Sequence, residues 1–196
     1  GVEDTGSISS ASPRYYKVNV PVNLDLRVTA ASSVAYPSID LFAAFGRMPA
    51  GNDYEHRTAD PISLQREMLV PSTQAGSYYL LMRSLINPSP LVNETYSVIA
   101  ETLGFSVASI TPDRGGSGRF VTAKLTGAGF RPTSRIFLFS GSQQIAEAEL
   151  RSFVSTMGMT VRWDLRGVPL GTYDIEVRNQ DSSTARLTGG FTVYLP

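Results

Sequence analysis

Apolar and polar residues alternate with a period of two along most of this chain, and the stretch from Glu94 to Pro112 does so twice. Tyr96, Val98 and Ala100 alternate with Ser97, Ile99 and Glu101; beyond Leu103-Gly104, Phe105, Val107 and Ser109 alternate with Ser106, Ala108 and Ile110. A period of two puts successive side chains on opposite faces of an extended strand. The stretch therefore predicts the last strand of one β-domain running almost directly into the first strand of another.

The same pattern organises both halves. Residues 1–13 are small and polar and read as a lead-in without an element of its own. Tyr16, Val18 and Val20, then Leu24, Leu26 and Val28, alternate on either side of Pro21, which predicts a hairpin. Ile39, Leu41 and Ala43 continue the pattern, the Gly-, Pro-, Asn- and Asp-rich residues 46–61 read as a long loop, and strands follow at 67–70, 77–84 and 95–101. In the second half residues 113–118 read as a turn, with strands at 120–126, 135–139, 144–150, 160–165, 172–178 and 190–194 and a kink at Gly127-Ala128-Gly129. No segment sustains a helical period, so the fold class is all-β: two tandem β-sandwiches, at 1–102 and 105–196. Trp163 and Tyr173 each share a strand face with aliphatic residues two places away, which predicts both as core.

The two halves share one echo. Gly76-Ser77-Tyr78-Tyr79-Leu80-Leu81-Met82-Arg83 and Gly171-Thr172-Tyr173-Asp174-Ile175-Glu176-Val177-Arg178 both read Gly, hydroxyl, Tyr, alternating apolar residues and Arg. Two sandwich strands converging on one solution explain this better than duplication.

Composition narrows the function classes. Seventeen basic and seventeen acidic residues cancel, which removes the net positive charge that favours nucleic acid or an anionic membrane surface. Of the basic residues only Lys17 and Lys124 are Lys, a bias that reads as codon composition. The absence of Cys excludes disulfides, thiolate nucleophiles and cysteine-ligated metals. No apolar run is long enough to span a membrane, and the first residues lack a signal-peptide pattern, so export would imply a signal already removed.

Two resemblances come from particular residues. Gly6-Ser7-Ile8-Ser9, Arg14-Tyr15-Tyr16-Lys17-Val18, Ser38-Ile39-Asp40-Leu41, Ala75-Gly76-Ser77-Tyr78-Tyr79-Leu80 and Glu94-Thr95-Tyr96-Ser97-Val98 give residues 6–101 the look of a bacterial pre-peptidase C-terminal domain. Val107-Ala108-Ser109-Ile110-Thr111-Pro112, Leu125-Thr126-Gly127-Ala128-Gly129-Phe130, residues 169–179 and Gly190-Phe191-Thr192-Val193 make residues 106–194 similar to an immunoglobulin-like IPT/TIG domain. These resemblances imply a jelly-roll-like first sandwich, an immunoglobulin-like second one, and non-catalytic modules appended to larger exported bacterial proteins. Some relatives of the first domain bind calcium near the amino-terminal linker, and collagen or polysaccharide on a sheet face. Ser10-Ala11-Ser12-Pro13 stands where that family often carries an Asp, which counts against a calcium site.

Candidate chemistry is sparse. His56 is the only His, and no nucleophile elbow accompanies it, so no catalytic triad is expected. Asn52, Asp53, Glu55 and Asp60 could offer oxygen ligands to calcium, yet their spacing does not match an EF-hand loop and reads as solvated surface, and Glu3 and Asp4 are an equally weak candidate. Gly115-Gly116-Ser117-Gly118 lacks a following Gly-Lys-Ser/Thr and reads as a turn. Glu147 and Glu149 lie two apart on one strand face and read as a polar outer face rather than a glycosidase pair. Asn93-Glu94-Thr95 is a glycosylation sequon that in a bacterial chain reads as chance.

Tyr15, Tyr36, Tyr54 and Tyr79 fall out of phase with the expected core faces. The uncharged run 32–37 is the expected open edge, since unpaired strand backbone invites strand addition. Val34, Tyr36 and Tyr54 are accordingly the expected partner-binding residues, with no catalytic residues, no metal and no cofactor. The expectation is a non-enzymatic extracellular, cell-surface or periplasmic module that spaces or assembles part of a larger protein complex. The alternative is a module that holds a secreted hydrolase on a polysaccharide or collagen-like polymer.

Overall fold

The computed structural model describes residues 1–9, 11–34, 38–58, 66–85 and 94–195. The chain divides into two compact units, Gly1–Leu103 and Gly104–Pro196.

The first unit contains, in chain order, β1 (Glu3–Ile8), β2 (Arg14–Val20), β3 (Asp25–Ser32), β4 (Ile39–Phe45), β5 (His56–Arg57), β6 (Arg66–Val70), β7 (Gly76–Ser84) and β8 (Glu94–Leu103). They form two four-stranded antiparallel sheets, ordered β1-β8-β3-β6 and β2-β7-β4-β5. Leu26, Val28, Met68, Val70 and Val98 from the first sheet meet Leu41, Ala43, Leu80 and Met82 from the second, and that interface is the core. Such strands have no reason to be helical, because their apolar residues recur at every second place.

Three details differ from the sequence reading. Residues 1–13 hold β1, whose polar Glu3-Asp4-Thr5-Gly6-Ser7 owes its strand to pairing with β8, from Glu3 opposite Ile99 to Ile8 opposite Glu94. The expected β2–β3 hairpin does not form: β2 pairs with β7, whereas β3 pairs with β6 and β8 in the other sheet. Asn23 turns the chain at φ 63°, donating its N–H to the Thr73 carbonyl at 2.8 Å, and carries it across the sandwich. Within residues 46–58, read as loop, β5 pairs with β4 and Ala50 bridges to Asp53.

β8 begins with a buried acid. Glu94 lies where Ser32, Ser38 and Ser84 all donate their hydroxyls to its carboxylate, Ser32 at 2.6 Å and Ser84 at 2.5 Å. Three donors on two oxygens replace the water that burial removes from this group.

The second unit contains β9 (Ser106–Thr111), β10 (Arg114–Gly116), β11 (Phe120–Ala128), β12 (Arg135–Ser140), β13 (Gln143–Ser155), β14 (Gly158–Asp164), β15 (Gly171–Arg178) and β16 (Thr184–Tyr194). Their order is β10-β16-β15-β12-β13-β14-β11-β9. The strand β13 pairs with β12 along its first half and with β14 along its second, and register shifts at Leu150/Ser152 and Phe153/Ser155 let it pass from one layer to the other. Between the layers lie Trp163, Phe130, Leu125, Ile136, Ile175 and Phe191, all fully buried. The turn expected at 113–118 contains β10, parallel to β16. Gly115 is closely packed there: a Cβ would come within 2.5 Å of Val121 and 2.6 Å of Leu165, and those side chains would have to shift. The stretch 144–150, whose Glu147 and Glu149 read as a polar outer face, is flanked by strands on both sides.

The internal echo has a structural counterpart. The Tyr173 hydroxyl donates to the Pro169 carbonyl at 2.7 Å, the tyrosine corner of immunoglobulin-like sandwiches. In the first unit the Tyr78 hydroxyl accepts from the Gln74 N–H at 3.2 Å, with the same four-residue span. Gly76 and Gly171, each two residues before the Tyr, have φ of 139° and 154°. In each unit the Gly lets the chain turn so that the Tyr enters the core while its hydroxyl reaches back over the turn.

Candidate functional site

The outer faces of the sheets carry a recurring arrangement of Arg, Phe and carboxylate. On β12 the residues alternate so that Ile136 and Leu138 face the core while Phe137 and Phe139 face outward. Guanidinium planes cover these two rings, leaving them almost fully buried: Arg135 and Arg178 lie 5.1 and 4.8 Å from Phe137, and Arg178 and Arg186 lie 5.3 and 4.9 Å from Phe139. Each Arg is held by an acid on a neighbouring position. Arg135 binds Glu147 with both Nε and Nη2, Arg178 binds Glu176 at 2.6 Å, and Arg186 binds Asp174 at 3.0 Å. Arg suits this role because its planar, weakly hydrated fork stacks on a ring and pairs side-on with a carboxylate, which Lys cannot do.

The opposite face repeats the device more openly. Arg162 and Arg166 both lie 4.8 Å from Phe120, whose ring is half exposed. The Arg166 side chain and backbone N–H hold the Asp164 carboxyl down at about 2. In the first unit, Arg57 and Arg83 lie 5.3 and 4.9 Å from Phe42, itself fully buried, and Arg57 forks onto buried Asp40. Seven Arg thus lie over Phe rings, so the Arg excess read as codon bias has a packing use.

The expected partner-binding residues are not brought together. Val34 is half-buried just beyond β3, and its N–H donates to Ser32 Oγ at 3.2 Å. Tyr36 lies outside the described residues. Tyr54 is 38% exposed, with its ring centre 5.0 Å from that of Phe42 over the other sheet. Over the described part of residues 32–37 the side towards β8 is paired, Ser32 with Tyr96 and the Ser33 N–H with the Thr95 carbonyl, while the pairing of β3 with β6 ends at Ala30.

His56 sits half-buried on β5, and burial pushes its imidazole below the usual range. Asp53 pairs with Arg47 at 2.9 Å, and Asp60 lies outside the described residues, as does Asn93 of the sequon. Among the described residues no three His, Asp or Glu side chains converge as metal ligands. Glu147 and Glu149 are both held below the usual carboxylate range, by hydrogen bonds from Arg135 and Arg151 respectively. A glycosidase acid needs the opposite shift.

Two of the concavities carry charged side chains. One, of about 320 Å³, opens between the edge strands β1 and β2. Val18, Leu80, Val98 and Ala100 line it beside a triangle of Asp4, Tyr16 and Tyr96, whose oxygens are 2.7 to 3.2 Å apart. Burial and these two partners push the Tyr16 phenol well above its usual range. The other, of about 440 Å³, lies at one end of β12 and β15, where Arg135 and Arg178 meet Thr133, Gln180, Ser182 and Thr184. Sequence reasoning missed this second site. The run Arg-Ile-Phe-Leu-Phe-Ser is apolar on both faces, so nothing in it says which face is outward.

No family model matches this chain, and no curated protein does. Among solved structures it is similar to an I-band fragment of titin, at 12% identity and TM-score 0.32 over 93% of this chain and 65% of that one. It is also similar to titin Ig tandem domains, at 12% identity and TM-score 0.30 over 98% and 100%. A third similarity is to the glycoside hydrolase domain of Endo-D from Streptococcus pneumoniae R6, at 11% identity and TM-score 0.25 over 98% and 34%. The chain thus spans under two thirds of the I-band fragment and about a third of the Endo-D chain.

Proposed function

We propose that this chain is a non-catalytic, exported tandem β-sandwich that spaces or assembles part of a larger bacterial surface or secreted complex. The observation that carries this reading is the connection between the units. β8 ends at Leu103 and β9 begins at Ser106, so only Gly104 and Phe105 intervene. Phe105 packs against the second core, its ring edge-on to Phe130 at 6.5 Å. One residue, Gly104, is left as free connector, whereas a flexible linker of n residues spreads its ends by roughly 5–6 Å × √n. A short, packed connector suits a part that sets distance.

The absence of Cys makes the test direct. Glu67 and Gln143 are exposed, one in each unit, and can be changed to Cys for donor and acceptor dyes. Single-pair energy transfer should give one narrow distance distribution in the native chain. Inserting six Gly/Ser residues after Gly104 should broaden it. A native distribution already as broad as that of the insertion variant would rule out the spacer.

A further inference from the structure

We propose that the concavity at the end of β12 and β15 binds an acidic polysaccharide, with Arg135 and Arg178 receiving a carboxylate or sulfate of the glycan. This inference goes beyond the spacer reading and does not depend on it.

The first argument is electrostatic. Arg135 and Arg178 are directly opposed across the β12–β15 ladder and share the ring of Phe137. Like charges at opposed positions destabilise a strand pair, so covering Phe137 with two opposed cations carries an electrostatic cost. Their acids, Glu147 and Glu176, do not line the concavity, and no other carboxylate does among the described residues. Arg135 spends Nε and Nη2 on Glu147, and Arg178 spends only Nε on Glu176. Three guanidinium amino groups therefore remain for an anion, on planes already fixed by stacking. A planar fork held in advance is the usual receptor for a carboxylate or sulfate.

The second argument is the rim. Asn179 is buried and ties the loop to its surroundings, donating to the Gly129 carbonyl and Ser183 Oγ and accepting from Ser134 Oγ at 2.6 Å. Asp181 accepts from the Ser183 N–H and hydroxyl, and Ser182 turns at φ 68°. That bracing presents Gln180, Ser182, Thr184 and Thr133 as exposed neutral groups beside the two cations. Hydroxyls and amides both donate and accept, which matches sugar hydroxyls flanking a charged substituent. An acidic peptide fits less well: β12 and β15 are interior strands with no free backbone edge, and Phe137 is sealed beneath the guanidiniums, leaving no side-chain pocket.

The test uses the whole chain at low ionic strength with four polymers: polygalacturonate, chondroitin sulfate, neutral dextran and poly-L-glutamate. Saturable binding to polygalacturonate, chondroitin sulfate or both is expected, weakening with added salt; because both carry carboxylates, binding to polygalacturonate marks a carboxylate receptor, whereas binding to chondroitin sulfate alone marks a sulfate receptor. Dextran and polyglutamate should not bind. Arg178→Gln should weaken binding about tenfold or more, as loss of a charge-assisted contact does. Because that change uncovers Phe137 and Phe139, Gln180→Glu is the companion: it alters only an exposed rim residue and should weaken binding to a comparable degree. Arg151→Gln, which faces outward on β13 away from the concavity, should leave binding unchanged. Failure to bind either acidic polysaccharide, equal binding to polyglutamate, or native affinity in both Arg178→Gln and Gln180→Glu would overturn the proposal.

Discussion

Replacing Glu94 with Ala should cost the first unit about 3–5 kcal/mol. The Ser32, Ser38 and Ser84 hydroxyls converge on this carboxylate, and Ser38 and Ser84 are buried. Hydrogen bonds to a charged acceptor contribute about 1.5–3 kcal/mol each, against which stands the cost of keeping the carboxylate out of water. Truncation removes the acceptor and leaves the donors behind, the costlier of the two ways to lose a buried bond. Glu94→Gln keeps the shape, but its NH₂ cannot accept a hydroxyl proton, so at least one Ser must turn, at about 1–3 kcal/mol. Calorimetry on the full chain would read the change. Trp163, the sole Trp, is buried in the second unit, so its fluorescence separates that unit's transition from the one being tested. A loss below about 1 kcal/mol for Glu94→Ala would mean that the hydroxyls find other partners and that the cage holds nothing together.

Nothing in the sequence announced this cage. Ser32 and Ser38 lie 62 and 56 residues from Glu94 in the chain, and all four cage residues lie at or beside a strand end, where polar residues are ordinary. By contrast, strands such as β3, β7 and β15 were legible, because Leu26, Val28 and Ala30, or Tyr173, Ile175 and Val177, put apolar groups on one face at every second place. Alternation reports which face a residue takes, not which sheet a strand joins. That is why Pro21 looked like a hairpin turn when the chain was crossing the sandwich. It also fails for strands that pairing alone creates: β1 has a single core residue, Ile8, and β10 has three residues built around a Gly. The concavity at Arg135 and Arg178 was hidden for a related reason. Burying Phe137 and Phe139 beneath guanidiniums makes an outer face read as a core.

The same limit bears on Tyr54, expected as a partner-binding residue. Asp40, Phe42 and Ala44 on the outward face of β4 are almost wholly buried, although among the described residues no further sheet lies beyond it. Tyr54, Arg57 and Arg83 cover Phe42, so this segment is at least partly a lid over its own sheet. A substitution at Tyr54 would therefore be expected to disturb Phe42 before it disturbed a partner.

Tyr173→Ala should cost the second unit about 3–5 kcal/mol, the range for emptying a large aromatic site in a packed core. The Tyr173 ring is 4% exposed and belongs to the cluster that includes Trp163, Ile175 and Phe191. Its hydroxyl bond to Pro169 contributes much less, because Pro169 is exposed and water can take the carbonyl when the hydroxyl is gone. Tyr173→Phe should accordingly lose only about 0.5–1.5 kcal/mol, the net worth of an ordinary hydrogen bond. The ratio of the two variants thus separates packing from the corner bond, and the Trp163 emission midpoint in denaturant would read both. Tyr78 supplies a matched comparison in the first unit: it is 3% exposed, and its hydroxyl accepts from the N–H of exposed Gln74. If the two Gly-hydroxyl-Tyr stretches solve one physical problem, Tyr78→Ala and Tyr78→Phe should show the same large-to-small ratio by calorimetry. A Tyr→Phe loss as large as the Tyr→Ala loss at either site would place the stabilisation in the hydroxyl, and the ring would then be filling space that the core could close without it.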